Sequence, residues 1–84
     1  MLKLNLLYFA QLRESLGIAR ETLECQVRTV QDLVSVLADR GGVWQEQLQD
    51  SEALRIAVNQ EMVQPSCVLS SGAEVAFFRP VTGG

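Results

Sequence analysis

Eighty-four residues suffice for one domain, and a domain this small must gather its strands and helices around a single shared core. With 48% hydrophobic residues and only two prolines the chain falls outside the disordered class, and a formal charge of −3 argues against a nucleic-acid binder, which carries a basic stripe. No apolar run approaches the length of a membrane span and MLKLNLLYFAQL lacks a small-residue cleavage site, so the expectation is a cytoplasmic protein with neither nucleic-acid nor membrane partners.

The elements follow in chain order. Residues Leu2 to Phe9 alternate as a strand, with Leu4, Leu6 and Tyr8 on one face and Lys3, Asn5, Leu7 and Phe9 on the other. AQLRESLG is a short helical turn closed by Gly17. RETLECQV alternates again, Leu23, Cys25 and Val27 marking the buried side of a strand paired to the first. TVQDLVSVLADRG is the main helix, because Val30, Leu33, Val34, Leu37 and Ala38 recur at helical spacing and form one apolar stripe. Thr29 suits the N-cap, Asp32 completes a box with it, Arg40 falls in the last turn and Gly41 can take the left-handed cap. VWQEQLQD reads as a second short helix facing Trp44 and Leu48 inward. LRIAVN is a strand with Leu54, Ile56 and Val58 on one face, and Asn59-Gln60 turns it into Met62 and Val63. Pro65 marks an edge or exit, Ser70-Ser71-Gly72 is another turn, and AEVAFFRP is the last strand.

Helices on one face of a mixed sheet give an α+β architecture. The first and last strands are the most apolar, as central strands are, and side by side they would run parallel. The outline is a ubiquitin-like β-grasp, one main helix packed on one face, with residues 1–78 as the domain and 79–84 as a flexible Gly-Gly tail.

The side chains bring few chemical tools. The chain has no histidine and no CxxC, which closes off a metal site or a histidine-based triad. Cys25 and Cys67 are expected to be small hydrophobes rather than a disulfide. The sheet face opposite the core is the informative region. It should be polar, yet it collects Leu7, Phe9, Ala57, Ala76 and Phe78, with Met62 nearby. Loops could cover such residues, or they could be exposed singly. Phe9 and Phe78 on neighbouring strands form one patch, however, and a contiguous patch of this kind is a docking surface.

Beyond the last strand comes RPVTGG. Without Cβ atoms, Gly83 and Gly84 can thread a channel that side chains would block. The reactive group at the tip is the α-carboxylate of Gly84. A partner can activate it with ATP as an acyl-adenylate, and a nucleophile then displaces AMP to leave an amide, a thioester or a thiocarboxylate.

The segments YFAQLRE, VNQ and EVAFFRPVTGG together resemble the small, sulfur-carrying subunit of molybdopterin synthase, and the similarity spans almost the whole chain. The ending Phe-Phe-x-Pro-Val-x-Gly-Gly is the specific part. Arg79 departs from the pattern, since many members carry a second proline there. The resemblance implies an adenylyltransferase partner, similar to ubiquitin-activating enzymes, that spends ATP to convert Gly84 to a glycyl-adenylate and then to a thiocarboxylate. It also implies a large synthase subunit, in a heterotetramer of two small and two large chains, where the sulfur passes to cyclic pyranopterin monophosphate to build the molybdopterin dithiolene. The chain would bind no cofactor and would be a sulfur-donating subunit rather than a catalyst alone. The resemblance assigns sulfur carriage to Gly84, threading to Gly83, and docking to Phe9, Met62 and Phe78; Leu7 and Pro80 are expected to join them in partner binding. Alternatives are the carrier for thiamine thiazole synthesis, a protein-conjugating modifier, or an interaction module whose Gly-Gly is a frayed end.

Overall fold

A computed structural model of the chain describes residues 1–49 and 53–79. The elements are β1 (Leu2–Tyr8), α1 (Ala10–Leu16), β2 (Arg20–Cys25), α2 (Val30–Ala38), α3 (Gly42–Gln49), β3 (Arg55–Val58), β4 (Glu61–Met62) and β5 (Glu74–Phe78). The strands form one five-stranded sheet in the order β2-β1-β5-β3-β4. β1 and β5 lie side by side and run parallel, while the β1–β2, β3–β5 and β3–β4 pairs are antiparallel. This mixed sheet with its helices is the ubiquitin-like β-grasp, of class α+β.

The alternation in the strands becomes the two faces of the sheet. Leu4, Leu6 and Tyr8 of β1 and Val75 and Phe77 of β5 are buried on the inner face. They meet Val30, Leu33 and Leu37 from the apolar stripe of α2, with Leu12 of α1 and Leu48 of α3. Each such large side chain contributes on the order of 1.5–3 kcal/mol by leaving water. Tyr8 stacks on Phe77 with ring centroids 5.5 Å apart and meets the edge of Trp44 at 5.4 Å, so one aromatic group ties both central strands to α3.

Local chemistry fixes the helix ends. Thr29 Oγ1 accepts from the Asp32 amide while the Asp32 carboxylate accepts from the Thr29 and Arg28 amides, which is a complete capping box. Those amides hold the Asp32 carboxyl below its ordinary pKa. The loop after β4 covers the same helix end: Pro65 and Cys67 carbonyls accept from the Gln31 and Val30 amides, two of the donors a helix start leaves unpaired. Cys25 is buried, which pushes its thiol pKa up, and both cysteines are free.

The structure moves three boundaries. β1 stops at Tyr8, because Phe9 becomes the N-cap residue of α1. β2 stops at Cys25, leaving Val27 partly buried in the loop that follows. α2 stops at Ala38, and Arg40 lies beyond the Asp39 cap in a tighter turn, its amide bonded to the Leu37 carbonyl at 3.1 Å. From there the Arg40 guanidinium makes two bonds to Glu21, at 2.8 and 2.9 Å, and lies 4.3 Å from the Trp44 ring centroid. That arrangement, not the end of the helix, is what Arg40 serves.

Candidate functional site

The outer face of the sheet is built in rows by the strand register. Leu7 pairs with Arg20 on one side and Ala76 on the other, Ala76 pairs with Ala57, and Ala57 pairs with Met62. One line therefore crosses all five strands as Arg20, Leu7, Ala76, Ala57, Met62. Because side chains on one face recur every second residue, the next row toward the C-terminal ends of β1 and β5 contains Phe9, Phe78 and Arg55. The Phe9 amide donates to the Phe77 carbonyl at 3.1 Å, which carries the parallel pairing one step past the end of β1. Ala10 follows with φ of 49°, a left-handed conformation unusual for alanine, and turns the chain from β1 into α1 with Phe9 still extended.

Exposure separates this face from the core. Phe9 is 45% and Met62 58% exposed, and Leu7, Ala57, Ala76 and Phe78 are partly buried. Met62 is held out by the β3–β4 hairpin, whose Asn59 and Gln60 take φ of 51° and 72°, the pair of left-handed residues that a tight two-residue hairpin turn requires. Asn59 adds a second hold, its Oδ1 accepting from the Glu74 amide at 3.0 Å.

In the opposite direction along the strands the face becomes polar. Thr22, Asn5 and Glu74 form the next row, with the Thr22 hydroxyl 3.3 Å from Asn5 Oδ1, and Lys3 faces Glu24 one row further. The apolar half of the face is thus the half at which β5 ends and residue 79 begins.

Four of the sequence-derived binding residues, Leu7, Phe9, Met62 and Phe78, lie together on this half. Pro80, Gly83 and Gly84, with all of the proposed tail except Arg79, lie outside the described residues. Arg20 and Arg55 were missed, although alternation already places Arg55 beside Ala57. The contact of Arg79 with Gln47 of α3, a hydrogen bond of 3.3 Å across 32 positions, has no sequence signal.

The strongest polar constellation lies on the other side of the sheet. Tyr8 donates to Glu21 Oε2 at 3.0 Å, and Arg40 pairs with both Glu21 oxygens. The Arg40 bonds hold the Glu21 carboxyl below its usual range, while burial, reinforced by the Glu21 charge, raises the Tyr8 hydroxyl well above its own. A neutral phenol donating to a carboxylate that is already paired is a lock between β1, β2 and the segment leading into α3. Among the described residues no three His, Cys, Asp or Glu gather as metal ligands, and no helix is long and apolar enough to cross a membrane. What the site offers is an apolar surface for contact at the end of β5.

The sequence profile of the ThiS family matches residues 6–84. The chain is 40% identical to the molybdopterin synthase sulfur carrier subunit of Escherichia coli and 38% identical to that of Haemophilus influenzae, in each case over 96% of this chain and 99% of the relative. Its backbone superimposes on the small archaeal modifier protein 1 of Haloferax volcanii with a TM-score of 0.81, covering 96% of this chain and all of that one. At 21% identity that second likeness is one of fold. The chain belongs to the ThiS family, and these bacterial molybdopterin synthase sulfur carrier subunits are its relatives there.

Proposed function

We propose that this chain is the sulfur-carrier subunit of a cytoplasmic molybdopterin synthase. The observation that carries the reading is the end-to-end identity with molybdopterin synthase sulfur carrier subunits, 38–40% over 81 residues. The geometry is in keeping with it: an apolar half-face stands where the last strand leads toward Gly83 and Gly84, and the described side chains assemble no acid–base or metal centre that would work alone.

An adenylyltransferase partner uses ATP to join the Gly84 carboxylate to AMP, releasing pyrophosphate. A sulfur nucleophile then takes the place of AMP and leaves a thiocarboxylate. The loaded terminus enters the large subunit, in an assembly of two small and two large chains, and gives its sulfur to cyclic pyranopterin monophosphate. Two such transfers complete a dithiolene. Phe9, Met62, Phe78, Leu7 and Pro80 form the contact, Gly83 lets the chain thread a narrow channel and Gly84 carries the sulfur. ATP is the partner's substrate, and this chain holds no cofactor of its own.

Mass spectrometry of the chain produced with its adenylyltransferase and a sulfur source tests the reading. The expected result is a mass gain equal to one oxygen replaced by sulfur, located at Gly84. An unchanged mass in the presence of active partner would leave a passive interaction module. Deleting Gly84 should abolish loading with the fold intact, since a displacement of about 1 Å at a reacting carbon can cost on the order of 100-fold in rate. Loss of the molybdenum cofactor, rather than of thiamine, on removal of the gene would separate the two sulfur-carrier pathways.

A further inference from the structure

The sheet has two edges, and they are finished differently. β4 is two residues long and Pro65 follows it closely. β2 is six residues long, carries no proline, and among the described residues pairs with β1 alone. The bonds made by β1 show which groups of β2 stay open. The Asn5 and Phe9 amides donate to the Ala73 and Phe77 carbonyls on the β5 side, whereas the Tyr8 amide donates to the Ala19 carbonyl at 2.9 Å. Tyr8 and Ala19 continue the register of β1 and β2, and bonded pairs in an antiparallel ladder recur at every second residue. Leu6 with Glu21 and Leu4 with Leu23 are therefore bonded pairs, so Glu21 and Leu23 turn their backbone groups toward β1. Arg20, Thr22 and Glu24 turn theirs outward. All three side chains are exposed, on the outer face of the sheet.

We propose that β2 is a self-complementary edge, at which two copies of this chain pair antiparallel about a two-fold axis through Thr22. This pairing is independent of the sulfur-carrier reading. With Thr22 opposite Thr22, Arg20 of each copy stands opposite Glu24 of the other, and each of these outward-turned pairs can exchange two backbone hydrogen bonds. The charges agree with the backbone. Within one chain Arg20 stands opposite Leu7 and has no ion pair among the described residues, while Glu24 stands opposite Lys3. In the pair Glu24 lies between two cations, and Arg20 gains the carboxylate that its own chain does not supply. On the inner side Glu21 faces Leu23, with the Glu21 carboxylate turned to Arg40 of its own chain. Other registers are poorer. Sliding one copy by two residues sets Glu21 opposite Glu21, or in the other direction moves Arg20 opposite Gln26, beyond the strand end. The contact is isologous and closes on itself, so it consumes the long edge and leaves only the short β4 edges outside. It uses the strand edge rather than the sheet face, and the apolar patch of each copy stays open. A contact of this size belongs to the weak, transient class, below about 1,200 Å².

The test follows the full chain by NMR diffusion and amide spectra from about 10 μM to about 1 mM, a range that spans weak self-association, with thermal melting as the check on folding. Wild type should diffuse more slowly as concentration rises. Amide shifts and slowed hydrogen exchange should centre on Arg20, Thr22 and Glu24. Arg20→Glu and Glu24→Arg each set like charges face to face at both ends of the seam, and each should weaken association about tenfold or more. An equimolar mixture of these two variants should recover it, and so should the Arg20→Glu/Glu24→Arg double variant, because both restore opposite charges across the seam. Only a register that opposes Arg20 to Glu24 gives that pattern of rescue. A chain that stays monomeric at the highest concentration overturns the proposal. A dimer that survives both charge reversals overturns it too, as does one lost in Phe78→Ala with the β2 amides unshifted, which would be association through the apolar face. Amides of β2 that respond only to a different added protein would give the edge to a heterologous strand, and the second copy would no longer be its occupant.

Discussion

The two faces of the sheet are made by the same strands and end in opposite circumstances. Tyr8 is 1% exposed and its neighbour Phe9 is 45%, while in β5 Phe77 is fully buried and Phe78 only partly so. On the inner face an apolar residue at every second position is required, because three helices cover it and no domain this small folds without that core. No such demand acts on the outer face, as its own far half shows: Thr22, Asn5 and Glu74 occupy the same strands in the adjacent row and are polar. Leu7, Ala76, Ala57, Met62, Phe9 and Phe78 are therefore not a consequence of the fold. Apolar surface that folding does not need is surface left for contact.

The sharpest way to break this contrast is to exchange the two adjacent phenylalanines for alanine. Phe77→Ala removes a ring stacked on Tyr8 and should cost about 3–5 kcal/mol in urea unfolding, whereas Phe78→Ala should cost no more than about 1.5 kcal/mol. Equal losses would place Phe78 in the core and remove the centre of the proposed docking surface.

Binding to the large subunit should order the variants the other way. Phe9→Ala and Phe78→Ala are each expected to weaken the complex by about 1–2 kcal/mol, a roughly tenfold rise in Kd by calorimetry, as aromatic anchors near an interface centre do. Met62 lies on the two-residue edge strand β4 and should show a smaller loss on conversion to alanine. Wild-type affinity in both phenylalanine variants would move the contact elsewhere on the molecule.

These pairs also show what could be read before the fold was seen. Alternation in LKLNLLY and EVAFF assigns every residue to a face, the stripe in VQDLVSVLA gives α2, and the Thr29–Asp32 spacing gives its cap. Each signal is local, set by a period or a turn. The rows required register as well, and register is a property of paired strands, so Arg20 beside Leu7 was not visible in either segment alone. Arg40 illustrates the same limit. Its position suggested the end of a helix, but its partner lies 19 residues earlier on β2 and its aromatic contact on α3. The helix ends two residues sooner, and the side chain is drawn across to Glu21. The Gln47–Arg79 bond spans 32 positions and obeys no period.

Glu21 is a polar residue on the inner face, paired across from the buried Leu6, and pH should reveal its worth. Its folded pKa is depressed, so its contribution to stability is present above the ordinary carboxylate value of about 4.3 and is lost as pH falls through the depressed one. Tyr8 is shifted upward, so its contribution is complete below about pH 10 and declines as the unfolded phenol begins to ionise. Glu21→Gln should lower stability by about 1 kcal/mol between those limits, a modest figure because the ion pair is partly open to solvent. Below the acid limit the difference between variant and wild type should shrink. Denaturant unfolding of both proteins across that range measures it, and a gap that persists undiminished into acid would mean that packing, not the charge pair, makes the difference.

The smallest expected effect belongs to the polar half of the outer face. Asn5 and Thr22 are exposed, and the 3.3 Å contact between their side chains is a solvent-facing bond of little net value. Asn5→Ala and Thr22→Ala should each leave stability within about 0.5 kcal/mol of wild type, the range for surface changes that disturb no cap, core or buried partner. Binding should be equally indifferent if the contact stops at the row of Leu7 and Ala76. The row spacing makes this a sensitive boundary, because Asn5 is only two residues from Leu7 and on the same face of β1. A tenfold loss of large-subunit affinity in Asn5→Ala, with unfolding unchanged, would push the interface across that row. The division of the outer face into a contact half and a solvent half would then be wrong, and its polar residues would be recognition groups, not the solvated remainder.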